Sequence, residues 1–113
     1  MVLGKPVIAT PYSGVTDFFD LNTGYPVRYR TLELTQDTGP YQAGSHWADP
    51  DVDHAAERML EVVERRDEAH AVGRRASEDL SRRLSYAAVG KTLRERYEEV
   101  LRTVRQGQLG GRL

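Results

Sequence analysis

The chain has 113 residues, 39% of them hydrophobic and 29% charged, with a formal net charge of −1 at pH 7. This length suits one small domain with a modest core, and the balanced charge gives no overall field directed at nucleic acid. The chain has no cysteine, which excludes disulfides, thiolate catalysis and cysteine zinc sites. No apolar run approaches the roughly 18 residues of a membrane span.

Charge is unevenly spread. Residues 1–56 hold Lys5, Arg28 and Arg30 against seven acidic groups, whereas residues 57–113 carry a basic excess with the pairs Arg65-Arg66, Arg74-Arg75 and Arg82-Arg83. On helices such pairs form solvated faces laced with glutamate; contact with an anionic membrane surface is the lesser reading. The first residues lack a charged segment followed by a long apolar stretch, so no signal peptide is expected. The expected location is the cytoplasm, with the inner face of the membrane as a peripheral alternative.

The elements begin with a glycine turn at Gly4, then Lys5-Pro6 and a β-branched apolar run. This pattern predicts a buried, parallel-type strand over Pro6–Thr10, with no earlier segment of this sequence to pair with it. Pro11-Tyr12-Ser13-Gly14 reads as a loop, with Gly14 at a tight turn. Val15 to Asp20 reads as a short helical turn that offers Phe18 and Phe19 to the core. Asn22-Thr23-Gly24 is turn chemistry. Tyr25 to Arg30 then alternates as a strand, with Tyr25, Val27 and Tyr29 on one face, and Pro26 places it near a sheet edge. Leu32–Thr35 extends it or forms a third short strand.

Residues 35–48 lack periodicity and read as a long loop, which in a compact domain is functional, specially packed or mobile. Trp47 is expected to anchor this loop to the core.

From Asp49 onward the pattern is helical. Asp49 is placed as an N-cap with Pro50 at the first helical position. Val52, Ala55, Ala56, Met59, Leu60 and Val63 form an apolar stripe on a helix near 50–65. A second helix, near 67–82, places Ala69, Val72, Ala76 and Leu80 on one face. Gly73 costs that helix about 1 kcal/mol against alanine, which points to close packing or a bend. Ser85 caps a third helix, near 85–105, with Tyr86, Val89, Leu93, Tyr97, Val100 and Val104 in its stripe. Residues 107–113 read as a frayed tail. The fold class is therefore α/β, a partial Rossmann-like domain over residues 1–106, with two or three short strands followed by three helices.

Local motifs give no catalytic constellation. Asp49-x-Asp51-x-Asp53 fails as a calcium loop, which needs glycine where His54 stands and glutamate where Leu60 stands. Acidic residues in a first helical turn complement the helix dipole instead. Gly90-Lys91-Thr92 lacks the first glycine of a phosphate loop, since position 85 is serine, and it lies inside a helical stripe. His46, His54 and His70 have no metal-ligand spacing; His46, in the long loop, is expected to be solvated, with contact to a substrate as the lesser reading. Ser13 lacks the context of a hydrolase nucleophile. The residues themselves thus assign no catalytic and no metal-binding position, and leave the cofactor-binding residues unknown.

Taken in order, these segments resemble the C-terminal end of family-four (group 1) retaining glycosyltransferases of the GT-B fold. Leu3-Gly4-Lys5-Pro6-Val7-Ile8-Ala9-Thr10 is similar to the segment after the donor-binding loop. Gly14 to Asp17 resembles the glycine-rich turn that follows. Asn22-Thr23-Gly24-Tyr25-Pro26-Val27 is similar to the Asn-x-Gly-x-x-Val strand, and Pro50 to Val63 resembles the next helix. Gly73-Arg74-Arg75-Ala76 resembles a Gly-x-x-Ala helix, and Ser85 to Val104 the terminal helix that returns toward the other domain. The stretch from Gly39-Pro40-Tyr41 to Trp47-Ala48 is longer than the usual connection and resembles that of a subgroup.

In this resemblance Met1 takes the methionine position that follows the paired donor-site glutamates. Those glutamates, the cations that neutralise the donor diphosphate and the acceptor domain are absent from this sequence. The resemblance implies a C-terminal fragment of a nucleotide-sugar-dependent hexosyltransferase. The parent would act on a glycan or lipid-linked acceptor without metal, and its N-terminal half would be the partner. The fragment would be inactive alone, because a transferase needs a closed cleft and cations on the leaving diphosphate. The alternative is a non-enzymatic α/β interaction module that docks with a separate partner chain through its open sheet edge.

Overall fold

The computed structural model describes residues 1–110, with side chains to Gln106. The chain is mixed α/β, with four short strands, one 3₁₀ helix and three α-helices among the described residues. It divides into two compact units, Met1–Asp79 and the residues from Leu80 onward.

The first unit opens with a turn in which Gly4 N–H donates to the Met1 carbonyl at 2.8 Å. Gly4 has φ +68, a conformation that favours glycine. Strand β1 (Ile8–Ala9) follows and pairs in parallel with β2 (Tyr25–Pro26), Ile8 opposite Tyr25. Tyr25 N–H donates to Val7 and Val27 N–H to Ala9, both at 2.9 Å. Pro26 lies between these two donors, so its missing N–H falls on the side away from β1, as an edge strand requires.

Between the two strands runs a 3₁₀ helix at Ser13–Asp17. A turn follows in which Asp20 Oδ1 accepts from Asn22 N–H at 2.8 Å, Thr23 N–H at 3.0 Å and the Thr23 hydroxyl at 3.0 Å. These bonds satisfy the buried Thr23. Gly24 is required here because a Cβ on it would collide with the ring of buried Phe19.

The strand expected over Tyr25–Arg30 is broken in two. After Val27, the backbone N–H of Arg28 donates to His54 Nδ1 at 2.9 Å instead of to a neighbouring strand. The chain then enters a separate antiparallel sheet of β3 (Tyr29–Glu33) and β4 (His46–Pro50). The long loop expected at 35–48 is therefore a hairpin connection and most of β4. It is held by a nested turn in which Thr38 and Tyr41 exchange both backbone hydrogen bonds, at 2.9 and 3.1 Å. Gly39 has φ +57, and proline at the second central position fixes φ negative. Together these are the demands of a type II′ turn. Trp47-Ala48-Asp49-Pro50 mixes aromatic, small, acidic and proline residues, so it lacks the alternation that marks a strand in a sequence.

Helix α1 is Val52–Glu64 and α2 is Arg66–Arg83. The N-cap is Asp51, not Asp49: its Oδ1 accepts from His54 N–H at 2.9 Å, while Pro50 closes β4 opposite Tyr29. The expected apolar stripe of α1 does not face the core. Of that stripe Val52, Ala56, Met59, Leu60 and Val63 are exposed and Ala55 is half-buried, while Val62, from outside the stripe, packs against the core. Helix α2 buries Ala69, Val72 and Ala76 as its spacing predicts, and Leu80 is buried as well. Tyr25, Ala69 and Val72 form the core cluster, with Ile8 and Val62 packed against it. Gly73 permits the close packing anticipated for it, because a Cβ there would strike the Gly4 carbonyl. The Ser77 hydroxyl donates to the Val2 carbonyl at 2.8 Å, one turn further along the same helix.

In the second unit, α3 is Tyr86–Gly110, and the Ser85 hydroxyl accepts from Ala88 N–H at 3.2 Å. The helical backbone continues beyond the position where a frayed tail is expected to begin at residue 107. Residues 111–113 of that expected tail lie outside the described residues. No helix among the described residues is long and apolar enough to cross a membrane.

Candidate functional site

The chain leaves β1 at Thr10, and the backbone there makes a sharp excursion. Tyr12 N–H donates to the Thr10 carbonyl at 2.9 Å, and Ser13 takes φ 55. A non-glycine residue in this region is uncommon and tends to mark a site where the surroundings hold the backbone. The tight-turn role expected of Gly14 thus falls to its neighbour Ser13. Thr16 braces the strained residue by donating its hydroxyl to the Ser13 carbonyl at 2.7 Å.

Tyr12 ties this segment to the hairpin. Its hydroxyl donates to the His46 carbonyl at 2.8 Å, and its ring meets Tyr29 edge-to-face at 5.6 Å. Across the hairpin, Tyr41 and Trp47 form a second edge-to-face pair, with ring centres 5.0 Å apart and planes at 89°. Such pairs add about 0.5–1.5 kcal/mol beyond area burial. Trp47 therefore fastens the turn of the hairpin to its second strand rather than entering the core cluster. It remains half-buried, and Tyr41 is 50% exposed.

Between these parts lies a cleft of about 530 Å³, lined by Thr10, Tyr12, Ser13, Tyr41, His46 and Trp47 and floored by Ala48 and Pro50. Its volume falls within the roughly 300–1,000 Å³ of small-molecule sites, and its mixture of aromatic rings and a few polar groups is typical of them. It opens at the carboxyl end of β1, where ligands of parallel α/β sheets bind. No aspartate, glutamate, lysine or arginine lines it. The side chains of Thr10, Ser13 and His46 make no hydrogen bond among the described residues, so their polar atoms are available to a ligand.

The acidic triplet has a different fate. Asp49 Oδ2 accepts from Arg30 Nε and pairs with its Nη2, each at 2.7 Å, and Asp51 Oδ2 lies 3.3 Å from Arg28 Nη2. The Asp51 carboxyl is held below its ordinary range, chiefly by the His54 N–H it caps and further by the Arg28 charge. No group of three or more histidines and carboxylates among the described residues is placed to hold a metal. His54 accepts the Arg28 N–H and His46 borders the cleft, so these two histidines serve different places. Gly90-Lys91-Thr92 lies within α3, where Thr92 donates to the Ala88 carbonyl at 3.2 Å and Lys91 lies 3.8 Å from Glu95.

His46 and Trp47 were visible in the sequence as members of one irregular stretch. The sequence does not mark Tyr12, since its role depends on a contact 34 positions away. The only local hint was an aromatic residue flanked by Pro11 and Ser13 just past a strand. No protein-family model, no curated protein and no solved structure matches this chain.

Proposed function

We propose that this chain is the C-terminal part of a Rossmann-like, nucleotide-sugar-binding domain from a family-four GT-B glycosyltransferase, inactive alone. The observation that carries the reading is the parallel pairing of Ile8–Ala9 with Tyr25–Pro26, with α2 pressed against the entering turn through Gly73 and Gly4. Two of the segments that carry the resemblance pair as parallel strands and a third is a helix packed on them, which supports the reading because a layer of a doubly wound sheet would need both. A two-stranded parallel sheet is small for its type, because parallel sheets are normally built from several strands and covered on both faces. Further strands from the remainder of a parent enzyme would complete it.

In this reading the donor glutamates and the diphosphate-binding cations reside outside the 113 residues, and no metal takes part. The purified chain should transfer no sugar from UDP-, GDP- or ADP-hexoses. Calorimetric titration should show donor binding no tighter than millimolar. Joining the upstream coding sequence should restore both properties, and turnover by the 113-residue chain itself would overturn the reading.

A second reading has an observation of its own. In α3 the residues Tyr86, Leu93 and Tyr97 are 101%, 65% and 64% exposed, an apolar display suited to a non-enzymatic module that docks with a separate chain. Stable co-purification with a separately encoded N-terminal half would support it.

A further inference from the structure

We propose that α3 is an interfacial helix, which lies in the surface of an anionic lipid bilayer with its apolar face in the acyl boundary and its bordering arginines among the headgroups. The proposal rests on the order of residues around α3 and does not depend on the transferase reading.

Three features select this partner. First, the apolar face is continuous. Tyr86, Val89, Leu93, Tyr97, Val100 and Val104 fall on one side of α3, and with Leu101 they span an arc about 120° wide and about 27 Å long. Those six side chains are each at least 40% exposed, and no charged residue falls within the arc. The other faces of α3 are too polar for it to cross a bilayer, and an apolar face backed by a charged one suits a helix lying in the plane of the surface.

Second, the charges are sorted by sign. Arg94, Arg96 and Arg105 stand about 70–110° from the centre line of the apolar arc, whereas Glu95, Glu98 and Glu99 stand about 130–170° from it. All six are exposed. Arginines on the border can lay their stems along the acyl boundary and reach lipid phosphates, while the glutamates face away from the anionic surface. Lys91 and Arg102 stand among the glutamates instead: Lys91 Nζ lies 3.8 Å from Glu95, and Arg102 Nε donates to the Glu98 carbonyl at 3.3 Å. Arg96 Nη1 lies 2.6 Å from Glu99 Oε2, and both side chains are more than half exposed. An exposed pair of this kind is worth little, so a lipid phosphate can replace the carboxylate.

Third, a helical protein partner would ask for something else. A two-helix seam is narrower, and its bordering positions carry both signs to pair across the contact. The borders of this arc carry arginine as their only charge, beside Thr92 and Thr103. Tyr86 and Tyr97 add rings with an apolar body and a polar tip, which suit the level of the headgroups.

The test is cosedimentation of the full chain with vesicles of phosphatidylglycerol mixed with phosphatidylcholine, and with vesicles of phosphatidylcholine alone. The expected result is saturable binding to the anionic vesicles, roughly tenfold or more tighter than to the neutral ones. Salt at about 1 M, where the screening length falls to about 3 Å, should remove that preference. Arg94→Gln with Arg96→Gln should weaken binding roughly tenfold, and Leu93→Ser with Val100→Ser should weaken it by a similar factor. Lys91→Gln with Arg102→Gln removes the same charge from the opposite face and should bind nearly as the unaltered chain does. All these positions are exposed, so circular dichroism should show unchanged helix content; if a variant unfolds, binding by the unaltered chain still decides. Equal weakening by the two charge-removing pairs would mean adsorption by net charge alone and would overturn the proposal. Failure of the unaltered chain to bind anionic vesicles would overturn it too, including failure because a second copy or another chain already covers the face. The readout involves no donor sugar, so failure here leaves the transferase reading standing, and failure of transfer leaves α3 to this test.

Discussion

Gly73 carries more of the fold than its size suggests. Its missing Cβ admits the Gly4 carbonyl against α2, and any side chain must push that turn away. Gly73→Ala should therefore destabilise the chain by about 1–3 kcal/mol, the cost of overpacking. Gly90 is the internal control, since a Cβ there meets nothing within 4 Å in α3. Gly90→Ala should be neutral or stabilising by up to about 1 kcal/mol, and paired thermal melts of the two variants test the contrast. The acidic side has its own signature. Asp51 is held below its ordinary carboxyl range chiefly by the His54 N–H, and Asp20 chiefly by the Asn22 N–H with help from Thr23. A group whose folded value is depressed stabilises fully above its unfolded value, near 3.8, and loses that contribution as pH falls through the folded value. Melting temperature should thus drop on acidification below about pH 4. The double variant Asp20→Asn, Asp51→Asn should show a shallower drop across the same interval; an unchanged slope would remove these two carboxylates from the account. Gly73 is marked in the sequence because helix propensity is local, whereas Asp20 reads there only as the end of a helical turn. His54 is not marked, because its partner is a backbone N–H 26 positions away.

The elements separate into those whose burial follows their own periodicity and those assigned a face by their neighbours. Helix α2 belongs to the first kind: Ala69, Val72 and Ala76 are buried as spaced, because small residues let the helix lie close to β2 and the entering turn. Helix α1 belongs to the second. Its sequence shows an apolar stripe, yet Val62, outside that stripe, packs against the core while Met59, Leu60 and Val63 remain exposed. Its orientation is set at its start, where Asp51 caps the helix, Asp51 N–H donates to the Arg28 carbonyl at 2.8 Å and His54 receives Arg28 N–H. Periodicity locates a stripe but does not say which neighbour will cover it. The same reasoning explains why β4 was not legible: its pairing arises from a turn 5 residues upstream, and its own composition has no alternation. That turn gives a prediction at this scale. Gly39 has φ +57, and an L side chain there costs roughly 1–2 kcal/mol. Gly39→Ala should loosen the exchanged Thr38–Tyr41 hydrogen bonds first. Amide exchange should accelerate at Thr38, Tyr41 and Gly44 while Val72 and Ala76 keep their protection. Uniform acceleration throughout Met1–Asp79 would mean that the hairpin and the α/β layer unfold as one unit.

For the molecule as a whole, the distribution of apolar surface is the main physical fact. Among the described residues the buried hydrophobic side chains are few, and of these only Phe19 and Tyr25 are large aromatics. Meanwhile α1 exposes Met59, Leu60 and Val63, and α3 exposes Leu93, Tyr97 and Val104. A small domain with so thin a core has little stability to spare, and contiguous exposed apolar faces favour association. The open edge of β1 adds unpaired backbone groups to that tendency. The purified chain should therefore self-associate as its concentration rises, with the weight-average mass in sedimentation equilibrium climbing above that of the 12.8 kDa monomer. Placing a charge on the α3 stripe, as in Leu93→Glu with Tyr97→Glu, should reduce the association without loss of helix content, since both residues already face solvent. A matching change on α1, Leu60→Glu with Val63→Glu, separates the two faces: whichever pair restores the monomer identifies the surface that associates. If neither pair changes the mass while Ile8→Pro, which removes the backbone donor on the side of β1 away from β2, does so with the fold intact, the sheet edge is the contact. A chain that stays monomeric throughout would show that this exposed apolar surface drives no association.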